Sequence, residues 1–381
     1  MFIGYAPLSF ILSILFCMGL IYLDKRAAIA GDINVRESAQ TLHKKSISRF
    51  GGVAIYLSTI FTTFLFGFDW NSNAFLILAI CLPAFLVGFI DDLKFNLDPR
   101  IRIALLLPVP ILFFYSADIR VTDLDLGYFD DFLEIEFLAL FFLCFAMVGM
   151  MNAFNLIDGI NGQLSSYLVS IIVALKVIEN ISGTELPLSN EFRYFTNILL
   201  GALAGFFLLN LFGKIFLGDA GAYIIVLIIA WQLIILLSRN PELSAWSLLA
   251  LVFWPVMDTL FSIFRRLLKG KSTNRPDLLH FHQLIMRAIE IISKKEISRR
   301  ISNPLATATI LPFTFFPIIF GVKYSHDVYA GISIILISAT LYVLSYYTIL
   351  SVLKNHRIRN SVSNFTMPLW SFISLLIKKF D

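Results

Sequence analysis

Residues 220–238 read AGAYIIVLIIAWQLIILLS, nineteen residues without one charged side chain. A helix needs about 20 predominantly apolar residues to cross the hydrocarbon core of a bilayer. This stretch meets that length, and it is not alone. Similar runs lie near residues 7–23, 51–68, 74–90, 102–117, 135–152, 163–179, 196–213, 245–264, 304–322 and 328–353, giving eleven candidate spans. Composition agrees: 58% of the 381 residues are hydrophobic, 15% are charged, and the mean hydropathy is +0.81. Soluble domains carry about 45–50% apolar and about 25% charged residues, so water could not accommodate this surface. The expected fold is an all-α, polytopic membrane bundle of about eleven transmembrane helices over residues 1–353, followed by a C-terminal tail over 354–381. Pro108 and Pro110 predict a kinked or broken helix within 102–117. No secretory cleavage signal is evident, so the first run is read as a true span. Cys17, Cys81 and Cys144 sit inside apolar runs without metal-ligand spacing and read as small apolar residues.

Lysine and arginine set the orientation, because cytoplasmic loops hold an excess of both. With the N-terminus outside, 25 of the 30 basic residues fall on the inner side. They run from Lys25 to Arg49, from Lys94 to Arg102, at Lys214, from Arg265 to Arg300 and from Lys354 to Lys379. Arg120, Arg193, Arg239 and Lys323 stay outside, with Lys176 near a span end. The C-terminus is therefore expected in the cytoplasm. The acidic outer loop near 118–136 reads as a solvated loop, since it shows no ligand spacing typical of calcium.

The polar residues that interrupt this pattern gather on the inner side. Asp91 and Asp92 directly follow the third run. Neighbours on a helix point about 100° apart, so the two carboxylates should have different roles. The stretch Asn152-Ala153-Phe154-Asn155-Leu156-Ile157-Asp158-Gly159-Ile160-Asn161-Gly162 ends the fifth run. Its Asn152, Asn155 and Asp158 are spaced three apart, on one side of a helix. Amides and a carboxylate are costly in hydrocarbon unless partnered, which favours a functional site over a polar cap. Phe216-Leu217-Gly218-Asp219-Ala220-Gly221 opens the eighth run. Alone, Asp219 reads as a helix cap; functionally, it suits Mg²⁺, which takes one or two carboxylates plus phosphate and water. His280 and His282 lie in the long basic inner loop without further Cys or His for zinc, so they read as phosphate donors. His43-Lys44-Lys45-Ser46-Ile47-Ser48-Arg49-Phe50-Gly51-Gly52 opens the second run and either binds phosphate or anchors the helix. A proton-coupled transporter would place acids mid-span, often in two related halves. Only Asp258 fits that description, and no internal repeat is seen.

At these residues the chain resembles the polyprenyl-phosphate N-acetylhexosamine-1-phosphate transferases, the MraY/WecA family. Asp91-Asp92 resembles its DD motif, Asn152 to Gly162 its NxxNxxDGxDG motif, Phe216 to Gly221 its FxGDxG motif, and His280-Phe281-His282 its histidine-rich loop. Pro255 to Thr259 and Pro276-Asp277 are more similar to the WecA branch. The chain departs from the pattern at Asn161, where the family carries a second aspartate, at Gln283 for a third histidine, and at Ser48 for a proline.

The resemblance implies a reaction joining a UDP-N-acetylhexosamine to a polyprenyl phosphate, with release of UMP. N-acetylglucosamine is the expected sugar and undecaprenyl phosphate the expected acceptor. It implies Mg²⁺ as cofactor, with Mn²⁺ as the alternative ion, held by Asn155 and Asp219 with Asp158 nearby. Asp91 would deprotonate or position the lipid phosphate, supported by Asp92, and Asp158 completes the catalytic group. His280, His282 and Arg102 would hold phosphate oxygens, Asn161 would contact the nucleoside, and Lys44 and Asn152 join the substrate-binding set. The expected location is the bacterial cytoplasmic (inner) membrane, with the site facing the cytoplasm. A homodimer is allowed for, and no nucleic-acid partner is expected. The rival reading, a transporter or lipid flippase, predicts movement without bond cleavage and dependence on Asp258 rather than Asp219.

Overall fold

The structure, a computed structural model, describes residues 4–27, 47–66, 73–95, 97–117, 123–181, 189–270, 277–294 and 297–378. Sixteen α-helices form it, without a named strand among the described residues. They are α1 Tyr5–Ala27, α2 Gly51–Leu65, α3 Asn73–Ile90, α4 Pro99–Leu106, α5 Pro108–Ala117, α6 Asp130–Leu133, α7 Glu136–Ile157 and α8 Gln163–Ile181. Then follow α9 Ser189–Leu211, α10 Gly218–Arg239, α11 Ala245–Leu251, α12 Phe253–Leu268, α13 Phe281–Ile292, α14 Arg299–Lys323, α15 Val328–Lys354 and α16 His356–Lys378. Among the described residues nine spans are long and apolar enough to cross a membrane, ten if one bent pair counts as a span. The chain is an integral membrane protein.

Two of the eleven expected spans need correction. Run 51–68 forms α2, only 15 residues long, shorter than a full crossing. Its Ser58, Thr59, Thr62 and Thr63 hydroxyls all donate back to carbonyls three or four residues earlier, inside the same helix. Run 245–264 is not one helix: α11 and α12 meet at Val252 with a bend of 82°. Pro255 lacks an N–H and cannot continue the ladder. The backbone freed at the break is served by Tyr167, whose hydroxyl donates to the Leu251 carbonyl (2.8 Å) and accepts from the Trp254 N–H (3.4 Å). The kink or break expected in 102–117 amounts to an interruption at Leu107, between α4 and α5, and Pro99–Ser116 still serves as one span. The tail is α16, packed on α13 and α15.

Helix α10 lies at the centre, with 83% of its most apolar window buried, against α2, α3, α7 and α8. A helix apolar on every face belongs there. Glycine lets two of its neighbours reach its backbone. A Cβ on Gly52 would lie 2.2 Å from the Gly221 nitrogen, and one on Gly88 2.4 Å from the Ala220 nitrogen. Small residues allow such close helix approach in lipid. The acidic loop is a capping device: both Asp130 oxygens accept from the Leu124 and Leu126 N–H groups, and Asp125 accepts from Ala245 at the start of α11.

Candidate active site

The polar motifs meet at one end of the bundle. Residues 48–52 run beside 215–217: Phe216 donates its N–H to the Ser48 carbonyl, and Gly51 and Gly52 donate to the carbonyls of Phe216 and Leu217. This seats the basic segment before α2 against the turn that opens α10. Helix α3 ends in a π-turn over Asp91–Phe95. Such turns recur at functional sites because they redirect successive side chains.

The two aspartates do separate. Asp92 is 1% exposed, and its two oxygens accept from the Asp219 and Ala220 N–H groups at 2.9 and 3.1 Å. It caps α10 from another helix, the role that Asp219 taken alone would have had. Asp91 accepts from the Leu97 N–H (2.8 Å) and pairs with the Arg102 Nη1 (3.2 Å). The same Nη1 lies 3.5 Å from Asp219. Arg102 thus bridges the catalytic-candidate and metal-candidate carboxylates. The Asn155 side chain hydrogen-bonds to Asp219 and also reaches the Tyr223 hydroxyl at 3.5 Å.

Asp158 ends α7 as its C-cap residue. Burial pushes its carboxyl up to about 7, opposed by the Arg49 charge and reinforced by Asp219. Arg49 acts electrostatically on Asp92, Asp158 and Asp219 together. Sequence reasoning singled out Lys44 in this segment rather than Arg49. The signal that could have found it is its place directly before the paired glycines. Lys44 itself lies outside the described residues.

The histidines join the same end. Gly159 faces the His282 ring: a Cβ there would lie 2.1 Å from Nε2. The His280 and His282 rings stack, centroids 5.8 Å apart. His282 is 2% exposed, and burial pulls its imidazole down to about 4, so it is neutral near pH 7. Burial also acts against a charged His280, but a hydrogen bond from Nδ1 to Asp258 (2.6 Å) prevails and holds it above its ordinary value. Asp258, the acid that a transporter would use, is therefore committed to His280.

Two of the expected substrate-binding residues make hydrogen bonds within the protein. Asn152 donates to the Val148 carbonyl one turn back (2.8 Å) instead of reaching its companions. Asn161 turns toward α14: its N–H donates to Asn303 Oδ1 (2.6 Å), and its carbonyl accepts from the Thr307 hydroxyl (2.7 Å). Its own Oδ1 is buried without a hydrogen-bond partner. Asn210, missed in the sequence, fixes this turn by accepting from Gly162 N–H and the Ser165 hydroxyl, both at 2.9 Å.

Among the described residues no three His, Cys, Asp or Glu side chains converge as a metal cage. Mg²⁺ does not require one, since it is usually held by one or two carboxylates plus substrate phosphate and water. Asp219, with Asn155 hydrogen-bonded to it and Asp91 across Arg102, supplies the hard oxygen donors that fit this ion.

Carboxylates, amides and histidines thus gather at one end of a helical membrane bundle, an arrangement suited to handling phosphate groups at a membrane surface. The profile of glycosyl transferase family 4 matches residues 74–237. The chain is 26% identical over 285 residues to the probable undecaprenyl-phosphate N-acetylglucosaminyl 1-phosphate transferase of Bacillus subtilis, covering 73% of this chain and 76% of that protein. It is 28% identical over 287 residues to the undecaprenyl-phosphate alpha-N-acetylglucosaminyl 1-phosphate transferase of Escherichia coli K12, covering 73% and 75%. The protein of the same name from Yersinia pestis is 27% identical over 275 residues, covering 72% and 75%. The chain is thus similar to glycosyl transferase family 4 over residues 74–237, and to these transferases over 72–73% of its length.

Proposed function

We propose that the protein transfers N-acetylglucosamine-1-phosphate from UDP-N-acetylglucosamine to undecaprenyl phosphate, at the cytoplasmic face of a bacterial inner membrane. An oxygen of the lipid phosphate attacks the sugar-bearing phosphorus of the UDP-sugar. The bond between the two donor phosphates breaks, UMP leaves, and one phosphoanhydride replaces another without ATP. The observation that carries this reading is the Asp91–Arg102–Asp219 bridge, built by three separate elements at the end of the bundle where the other polar motifs meet.

The main obstacle is repulsion between an attacking phosphate and a diphosphate. Asp219 and Asn155 would hold Mg²⁺, which when bound neutralises charge on the diphosphate. The chain supplies the rest. Arg102 exchanges its carboxylate partners for phosphate oxygens, and Arg49 adds a second cation beside Asp158 and Asp219. Asp91 positions the lipid phosphate and takes its proton if one is present; Asp158 stands by at the end of α7. His280 donates to the diphosphate, while the unpartnered Asn161 oxygen suits an N–H of the nucleoside. Asp92 supports all of this by fixing the start of α10.

The test is UMP release by purified protein with Mg²⁺, undecaprenyl phosphate and a panel of UDP-N-acetylhexosamines. Release with UDP-N-acetylglucosamine and its loss in Asp219→Ala are expected. No UMP from any donor refutes the proposal.

A further inference from the structure

Asp258 lies on α12, which contributes no residue to the Asp91–Arg102–Asp219 bridge, and its carboxylate accepts three hydrogen bonds. One oxygen accepts from His280 Nδ1 at 2.6 Å. The other accepts from the Phe281 N–H at 3.1 Å and from the Tyr342 hydroxyl at 2.5 Å. The carboxylate is 1% exposed. With Nδ1 so engaged, Nε2 is the only ring nitrogen of His280 left for another partner.

A second clamp grips the same loop just upstream. Asp277 accepts from the Ser262 hydroxyl and from Arg265, both on α12, and from the Leu279 N–H (3.0 Å). Arg265 Nη1 also donates to the Tyr346 hydroxyl (2.6 Å), which donates to the Leu279 carbonyl (3.1 Å). Residues 277–281 are thereby fastened to α12 and α15 before any ligand arrives. A histidine held by a carboxylate at one nitrogen has a fixed orientation, and as the imidazolium it presents the other nitrogen as a donor.

We propose that Asp258 is a positioning residue of the transfer reaction, orienting His280 through Nδ1 so that Nε2–H is presented to the substrate diphosphate, with Tyr342 sharing the carboxylate. This rests on the transferase reading above. The charged and titratable groups facing His280 are Asp258 and Arg265 from α12, Asp277 from the loop, His282 from α13, and Tyr342 and Tyr346 from α15.

A cationic His280 donates to phosphate, so binding should fall as pH rises through its titration. Asp258→Asn removes the charge that favours the cation, and the alkaline limb of kcat/KM should move down by about 1–3 pH units, the range for loss of a close opposite charge. Tyr342→Phe removes a competing donor from Asp258, and the limb should move slightly up. A merely structural role would lower both rates without moving either limb. The experiment is the pH profile of UMP release for wild type, Asp258→Asn and Tyr342→Phe, with calorimetric UDP affinity over the same pH range. Limbs at the wild-type position in the variants overturn the inference alone. A wild type that binds UDP but releases no UMP overturns the transferase reading, and the affinity profiles still decide the role of Asp258. If Asp258→Asn does not fold, Tyr342→Phe carries the comparison, and an unmoved limb there overturns the inference. A wild type that neither binds UDP nor releases UMP overturns both.

Discussion

Replacing Gly159 by alanine puts a methyl carbon 2.1 Å from His282 Nε2, 2.6 Å from Cδ2 and 3.1 Å from Cε1. Non-bonded heavy atoms settle at about 3.5–4.0 Å, so the ring must retreat by more than about 1 Å. It has little room, being 2% exposed and stacked on His280. The φ of Gly159 lies outside the left-handed region, so alanine adds steric conflict without backbone strain. Overpacking of this kind costs about 1–3 kcal/mol. Catalysis should suffer more than stability, because a misplacement of about 1 Å can cost about 100-fold in rate.

Two measurements separate these effects: thermal unfolding in detergent and UMP release. Gly159→Ala should lower the unfolding temperature modestly and reduce kcat/KM by about two orders of magnitude. The double variant Gly159→Ala/His282→Ala removes the ring that is struck. It should regain part of the stability relative to Gly159→Ala while remaining inactive. Such non-additivity is the signature of two groups in contact. Wild-type kcat/KM in Gly159→Ala with an unchanged unfolding temperature would refute the contact between the two motifs.

The two adjacent aspartates should fail differently. Asp92→Asn weakens charge-assisted bonds to two N–H groups, one buried and one partly buried, each worth about 1.5–3 kcal/mol, and should show first as lost thermal stability. Asp91→Asn should keep the unfolding temperature and lose UMP release by at least about 100-fold. Arg49→Ala should weaken UDP-sugar binding, seen as a raised KM, because it removes a cation beside Asp158 and Asp219. His282 is depressed in the fold from 6.5 to about 4. Its contribution is therefore complete above pH 6.5 and is lost as pH falls toward 4, about 3 kcal/mol by the shift alone. Asp158, raised from 3.8 to about 7, acts oppositely: its contribution is complete below 3.8 and is lost as pH rises through 7. The check on His282 is thus the difference between wild type and His282→Gln, whose unfolding temperatures should converge as the pH is lowered from 6.5 to 4. Chelation of divalent cations should abolish UMP release and Mg²⁺ should restore it.

Spans were legible because the bilayer imposes a length on each apolar run, and α3, α7, α8 and α10 fall close to their expected limits. The bend at Val252 was not anticipated; Pro255 lies beside it, but whether proline kinks or breaks a membrane helix depends on who serves the freed backbone. Here that is Tyr167, 84 residues from Leu251 in sequence and invisible to any local pattern. The same limit explains the polar residues. Spacing put Asn152, Asn155 and Asp158 on one side of a helix, but could not tell that Asn152 would satisfy its amide on Val148. Asp258 looked like an isolated mid-span acid because its partners come from α13 and α15.

The capping of α10 has a consequence for where positive charge must come from. A helix N-terminus normally offers unpaired N–H groups and a partial positive charge to an anion. At α10 two of those donors, on Asp219 and Ala220, are already taken by Asp92. The phosphates therefore cannot use them, and charge compensation falls to side chains and the divalent ion. This explains why a cation bridges the remaining carboxylates: with Asp92 spent on the helix, Arg102 is the positive charge placed between Asp91 and Asp219. It follows that Arg102→Ala should do more than remove a phosphate contact. It should leave two acids to repel one another, so the divalent ion should bind the variant more tightly in the absence of UDP-sugar, even as UMP release fails. Calorimetric Mn²⁺ titration of wild type and Arg102→Ala reads this directly, and weaker binding in the variant would contradict the role assigned to the bridge.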